Sequence, residues 1–246
     1  MALHEEMVRD GNFLFRWRSY LPLTFLAVLL PEMRHFTYLG GTHALHSLWE
    51  LVCLGVSFFG LGVRCYTIGT VPGGTSGRNT TAQRAELLNT AGVYSVFRSP
   101  LYFGNFFVGL GIVMFVHVWW VAALYTLVFW LYYERIILAE EDFLRGKFGD
   151  RYLAWAEATP VFWPRLSRWI PPELPFSLRN VLKREYSGLL AIIAPLSLLE
   201  VGGEYVVQGR FAPEAPWLAL LAAGVLVYVV LRWLARNTRV LHVEGR

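Results

Sequence analysis

Two polar groups stand out in an otherwise apolar chain. Arg98, flanked by Tyr94 and Tyr102, precedes one long apolar run, and Glu140 and Glu141 follow the next, with Glu134, Arg135 and Asp142 nearby. An arginine can orient an oxyanion through paired hydrogen bonds, and a carboxylate can hold a cationic ligand group. Charges at membrane depth are costly and are usually paired or functional. A lone arginine is more often an anchor snorkelling to the headgroups. Adjacent carboxylates make poor anchors at an inner surface bearing anionic lipid. The two groups can meet only if the apolar runs form a hairpin that returns to one face.

Composition requires such runs. Of 246 residues 55% are hydrophobic, and the mean hydropathy is +0.42, which excludes an ordinary soluble domain and indicates an all-α polytopic membrane protein. A span needs about 20 mainly apolar residues. Six are expected, over about Tyr20–Leu30 (or from Phe13), Leu48–Ile68, Leu101–Val116, Trp119–Leu138, Gly188–Val201 and Pro216–Leu234. The third and fourth are joined too closely for anything but a tight hairpin. Between the second and third, VPGGTSGRNTTAQRAELLNT is expected to be loop, turning helical over Gln83–Leu88. Residues 1–18 form a polar leader that does not resemble a cleaved signal peptide. The organisation expected is 1–74 (leader and two spans), 75–165 (core) and 166–246 (two further spans).

Of the 22 Lys and Arg residues, all but Arg34 and Arg210 fall on one side of a six-span, N-inside topology. The positive-inside rule then puts the 65–99 and 139–185 segments together on the cytoplasmic face. The compact Ala/Leu/Arg-rich chain suggests a bacterial cytoplasmic membrane. Cys53 and Cys65 read as packing residues, and the six histidines show no tight ligand pattern; His43 and His46 read as interfacial. Glu200, near the end of the fifth span, is a functional candidate by its depth but lies on the far side from Glu140. The VPGGTSGRNT loop lacks the ending of a phosphate-binding P-loop. No metal and no nucleic-acid partner is expected.

The ordered set LNTAGVYSVFRSPLYFGN, a two-helix hairpin and EEDFLRGKFGDRYLAWAEATPVFWP resembles the isoprenylcysteine carboxyl methyltransferase and phospholipid methyltransferase superfamily over residues 75–165. The resemblance implies S-adenosylmethionine bound at the cytoplasmic interface and methylation of a lipid or lipid-anchored group. It matches Arg98, Pro100 and Tyr102 to an Arg-x-Pro-x-Tyr element, Gly109 and Gly111 to a Gly-x-Gly element, and Glu140 and Glu141 to a double Glu. Phe148, Gly149 and Tyr152 match the element that follows. Ser99 stands where the family often has His, and Ala158, Thr159 and Val161 surround Pro160 where prenylcysteine enzymes carry Arg; Arg165 could substitute.

On this reading Arg98, Tyr102 and Glu141 are the catalytic candidates. Tyr94, Ser99, Pro100, Leu101, Gly109, Gly111, Glu140, Glu141, Phe148 and Tyr152 would hold the cofactor. Arg78, Asn79, Arg84, Asn105, Glu134 and Arg165 would meet the acceptor. A carboxylate or phosphate acceptor is already anionic and needs no base, whereas an amine would need one, so an oxyanion is favoured. Two other readings compete: a sterol-reductase-like NADPH enzyme, usually longer, and a non-catalytic scaffold or carrier, which leaves the Arg/Tyr/double-Glu set without a role.

Overall fold

The computed structural model describes residues 2–18, 20, 24–75, 83, 85–211 and 213–246, all helical or irregular apart from one isolated bridge. The helices are α1 (Leu3–Trp17), α2 (Leu26–Glu32), α3 (His43–Thr70), α4 (Pro100–Met114), α5 (Trp119–Phe148), α6 (Asp150–Ala158), α7 (Leu178–Gln208) and α8 (Ala215–Asn237). Local chemistry sets their ends. Thr42 and Ser177 cap α3 and α7 through their hydroxyls, and Pro100 opens α4, where a missing N–H costs nothing. Gly209 closes α7 in the left-handed conformation. Four helices, α3, α5, α7 and α8, are long and apolar enough to cross a membrane, and α4 is a shorter apolar helix. The chain is an all-helical membrane protein.

Among the described residues four helices rather than six have the length and composition of a span, and residues 21–23 of the expected first span lie outside them. Where a first span was expected over Tyr20–Leu30, the described residues hold α2, with 7 residues. At 1.5 Å per residue it reaches only about 10 Å. The polar leader is the amphipathic helix α1, which runs antiparallel along α5. Tyr132 Oη donates to the Leu14 carbonyl (2.8 Å), and Gly11 abuts the Arg135 carbonyl and Ala139. Phe25 then meets Tyr125 edge-on, and Phe36 stacks on Phe115. Among the described residues, α1 and Phe25 therefore lie against α5. Glu5, Glu6, Arg9, Asp10 and Arg16 explain why α1 cannot be a lipid-immersed span. The helix expected over Gln83–Leu88 is also absent from the described residues there; Glu86 N–H bonds the Gly74 carbonyl instead.

The packing that positions the core is between α3 and α4, antiparallel. A Cβ on Gly60 would strike the Gly104 carbonyl, and one on Gly104 would strike the Gly60 carbonyl, so the two backbones touch. Ser57 Oγ donates to the Val108 carbonyl (3.0 Å) and Trp49 Nε1 to the Met114 carbonyl (2.9 Å). The turn from α4 to α5 is tight, with His117 at φ 60°.

An ion pair inside the bundle locks a third helix to these two. Arg64 of α3 forks onto Glu185 of α7, Nε to Oε2 at 2.9 Å and Nη2 to Oε1 at 2.7 Å. Its remaining nitrogen, Nη1, reaches Asn105 Oδ1 (2.6 Å) and the Leu101 carbonyl (3.4 Å) of α4. Glu185 belongs to α7 because that helix starts ten residues before the expected fifth span. Glu185→Ala strands a buried guanidinium and is expected to cost about 3–5 kcal/mol, against a much smaller loss for Arg64→Met combined with Glu185→Leu. Thermal unfolding in detergent checks this; equal losses would show the pair is not desolvated. Gly104→Val, which must separate α3 from α4, should lower the unfolding midpoint by the equivalent of about 1–3 kcal/mol in the same assay. An unchanged midpoint would contradict the contact.

Candidate active site

The floor of the candidate site is made by main chain. Residues 92–99 run beside residues 156–170. Arg98 N–H donates to the Pro160 carbonyl (2.9 Å) and Ser99 N–H to the Val161 carbonyl (3.0 Å). Arg165 N–H donates to the Val96 carbonyl (3.0 Å), and Gly92 N–H to the Ile170 carbonyl (2.9 Å). Trp155 Nε1 donates to the Tyr94 carbonyl and Ile170 N–H to Ser95 Oγ. These bonds hold Arg98 against α6 and place Ser99 as the residue before α4.

On this floor the two sequence-distant groups meet. Arg98 Nη2 lies 3.0 Å from Glu141 Oε1, and Arg98 Nη1 donates to the Ala156 carbonyl at 3.2 Å. Tyr102 Oη donates to Glu140 Oε1 at 2.6 Å, and Arg18 approaches the same oxygen at 3.8 Å. The carboxylates are half-buried, with Glu140 at 32% and Glu141 at 27% side-chain exposure. Neither Arg98 Nε nor Glu141 Oε1 has an aligned hydrogen bond, which leaves capacity for one. Tyr152 is buried beside Glu141, and its pKa is raised by burial first and then by the Glu141 charge. The Tyr94 pKa is raised by burial and then by the charge of Glu140. Both phenols stay neutral at physiological pH and can donate.

Other candidates divide. Pro100 is buried as the first residue of α4, and Leu101 is half-buried, its carbonyl accepting from Arg64. Asn105 lies deeper, linking Arg64 to Tyr133 Oη (3.3 Å), whose ring packs 4.7 Å from that of Tyr102. Phe148 is half-buried at the end of α5, near Lys147. Arg165 and Glu134 have exposed side chains. Arg78, Asn79 and Arg84 lie outside the described residues. Gly109 and Gly111 do not face the cluster. A Cβ at 109 would strike the Tyr125 hydroxyl and one at 111 would strike Ser57 Oγ and the Cys53 carbonyl. Their smallness serves helix packing.

Sequence reasoning missed Arg64, Arg18 and Tyr133. Arg64 lies inside the span expected over Leu48–Ile68, and an arginine that deep was the available signal. A recess of about 600 Å³ between α1 and the end of α5 is lined by His4, Asn12, Arg16 and Asp142 among others, and includes neither Arg98 nor Tyr102.

Residues 51–151, from α3 through the double Glu, match the family model described as phospholipid methyltransferase. The nickel-cobalt-cadmium resistance protein NccN of Alcaligenes xylosoxydans xylosoxydans is 30% identical over 122 residues, 50% of this chain and 57% of that protein. The cobalt-zinc-cadmium resistance protein CzcN of Cupriavidus metallidurans is 31% identical over 122 residues, 50% of this chain and 56% of that one. A protein-S-isoprenylcysteine O-methyltransferase of Schizosaccharomyces pombe is 31% identical over 117 residues, 46% of this chain and 49% of that protein. The chain spans about half the length of the curated relatives it matches. No solved structure gives a significant match. The segment that carries Arg98, Tyr102, Glu140 and Glu141 belongs to the isoprenylcysteine carboxyl methyltransferase and phospholipid methyltransferase superfamily.

Proposed function

We propose that this protein is an S-adenosylmethionine-dependent integral membrane methyltransferase acting on a lipid or lipid-anchored oxyanion at the cytoplasmic face. The observation that carries the reading is the meeting of Arg98 with Glu141 and of Tyr102 with Glu140 at adjoining helix ends. The lopsided Lys/Arg distribution supports the cytoplasmic orientation.

The donor set fits this cofactor. It is a sulfonium cation with an ammonium and a carboxylate, and the cluster offers two half-buried carboxylates and a guanidinium with an unused Nε. When bound, S-adenosylmethionine supplies an electrophilic methyl group. Glu140 and Glu141 would hold the cationic portion, Tyr102 would fix the orientation of Glu140, and Tyr152 would back Glu141. Arg98 would orient an anionic group, and the backbone pairing with Pro160 and Val161 keeps it in place. Alignment of attacking oxygen, methyl carbon and sulfur is then the main contribution, together with exclusion of water by the aromatic wall of Tyr102, Tyr133 and Phe103. The buried Ser99, in place of the family's frequent His, offers no base, which suits an acceptor already charged at neutral pH. Arg165, exposed at the rim, and Asn105 beneath are the acceptor-side candidates; Gly109 and Gly111 have no part in this reading.

Calorimetric titration of purified protein with S-adenosylmethionine and, separately, NADPH tests the proposal. Wild-type protein should bind the former. Glu141→Ala should weaken it by about 10- to 100-fold, the loss of one charge-assisted hydrogen bond, with the unfolding midpoint retained. Unchanged affinity in that variant would remove Glu141 from the site, and binding of NADPH alone would favour a reductase. Mass spectrometry of membrane lipids with and without the gene should show one acceptor gaining a single methyl group.

A further inference from the structure

A second group of chemically capable side chains sits at the other end of the bundle. His46 and Glu50, one turn apart on α3, meet Glu200 of α7. All three are buried, at 1%, 6% and 1% exposure. His46 Nε2 lies 3.4 Å from Glu50 Oε1 and 3.4 Å from Glu200 Oε2. One atom from each residue falls within 4.8 Å of the other two.

Hydrogen bonding explains these contacts poorly. A charge-assisted N–H···O bond is normally about 2.7–2.9 Å, and a single imidazole N–H cannot serve two carboxylates well. Glu50 Oε1, Glu200 Oε1 and His46 Nδ1 are buried without a hydrogen-bond partner, and so is His117 Nε2, whose ring lies 5.1 Å from that of His46. Among the described residues, His46 is the only ion-pair partner of either glutamate. The two carboxyls face each other, the Trp217 indole and one imidazole, so with both ionised the group lacks positive charge. The adjoining outer group contrasts with this. Glu204 accepts from Tyr38 Oη (2.8 Å) and from Gln208, and Glu214 pairs with His43 at 2.6 Å.

We propose that His46, Glu50 and Glu200 form a binding site for a borderline divalent transition cation such as Zn²⁺ or Co²⁺. Tetrahedral coordination with bonds of about 2.1 Å separates neighbouring donor atoms by about 3.4 Å, the spacing His46 Nε2 keeps from both carboxylate oxygens. Two carboxylates and a neutral imidazole balance a double positive charge. The imidazole nitrogen favours Zn²⁺, Co²⁺ or Ni²⁺ over Mg²⁺ or Ca²⁺, which prefer oxygen shells. Three protein ligands leave a fourth position for water or another donor. This site is separate from the Arg98–Glu141 cluster and holds whether or not that cluster transfers methyl groups.

The test uses full-length protein in detergent, stripped with chelator, loaded with Co²⁺ and desalted. Wild-type protein should retain one Co²⁺ per chain, with the intense visible absorption of a tetrahedral site, displaced by Zn²⁺. The nearly isosteric Glu50→Gln with Glu200→Gln should bind at least about tenfold more weakly, and His46→Ala likewise, whereas His43→Ala should retain the metal. Wild-type protein that holds no Co²⁺ would overturn the proposal without any variant. Full occupancy in the double glutamine variant, or loss of metal in folded His43→Ala, would also overturn it.

Discussion

The Arg64 guanidinium is the constraint on which the rest of the bundle depends. A charge inside an apolar helical assembly is tolerable only when its donors are answered, and here the partners come from two other helices. Glu185 fixes α7 against α3, while Asn105 and the Leu101 carbonyl fix α4. The contact of Gly60 with Gly104 permits the close approach that makes these bonds short. Because Leu101 is pinned, Tyr102 is placed for its bond to Glu140, and Asn105 passes the constraint to Tyr133. The polar network thus runs from α7 to the double Glu of α5.

Helix length separates this network from the polar group at the other end. The 30 residues of α5 extend about 45 Å, longer than a hydrocarbon core of about 30 Å, and the double Glu lies in its last third. Between the two ends the aromatic residues Phe106, Tyr125 and Phe129 fill the space between α4 and α5. Each polar group is therefore held at a mouth of the bundle, and the middle is left to packing.

The sequence made the hairpin legible, because charged residues bracket two apolar runs and their spacing allows only a tight turn. Arg98, Tyr102, Glu140 and Glu141 do converge as that pattern requires. The packing of α1 along α5 was not legible, since a hydropathy window registers apolar content and not a packing face; the amphipathic α1 hid that face among charges. Glycine was ambiguous for a different reason. Small residues admit either a ligand or a helix, and only the positions of Tyr125 and Cys53 decide for Gly109 and Gly111. His46 and Glu50 were readable as an i, i+4 pair, but Glu200 lies so far along the chain that no spacing rule could join them.

The pairing of residues 92–99 with 156–170 uses peptide groups, which every residue but proline carries in full. A scaffold drawn from main chain is indifferent to the side chains it displays, and Ser99 can replace an imidazole there without moving Arg98. Over 158–170 the side chains at the rim can therefore change by point substitution while the guanidinium stays where it is. On the proposed reading, acceptor preference is free to drift faster than the grip on the cofactor.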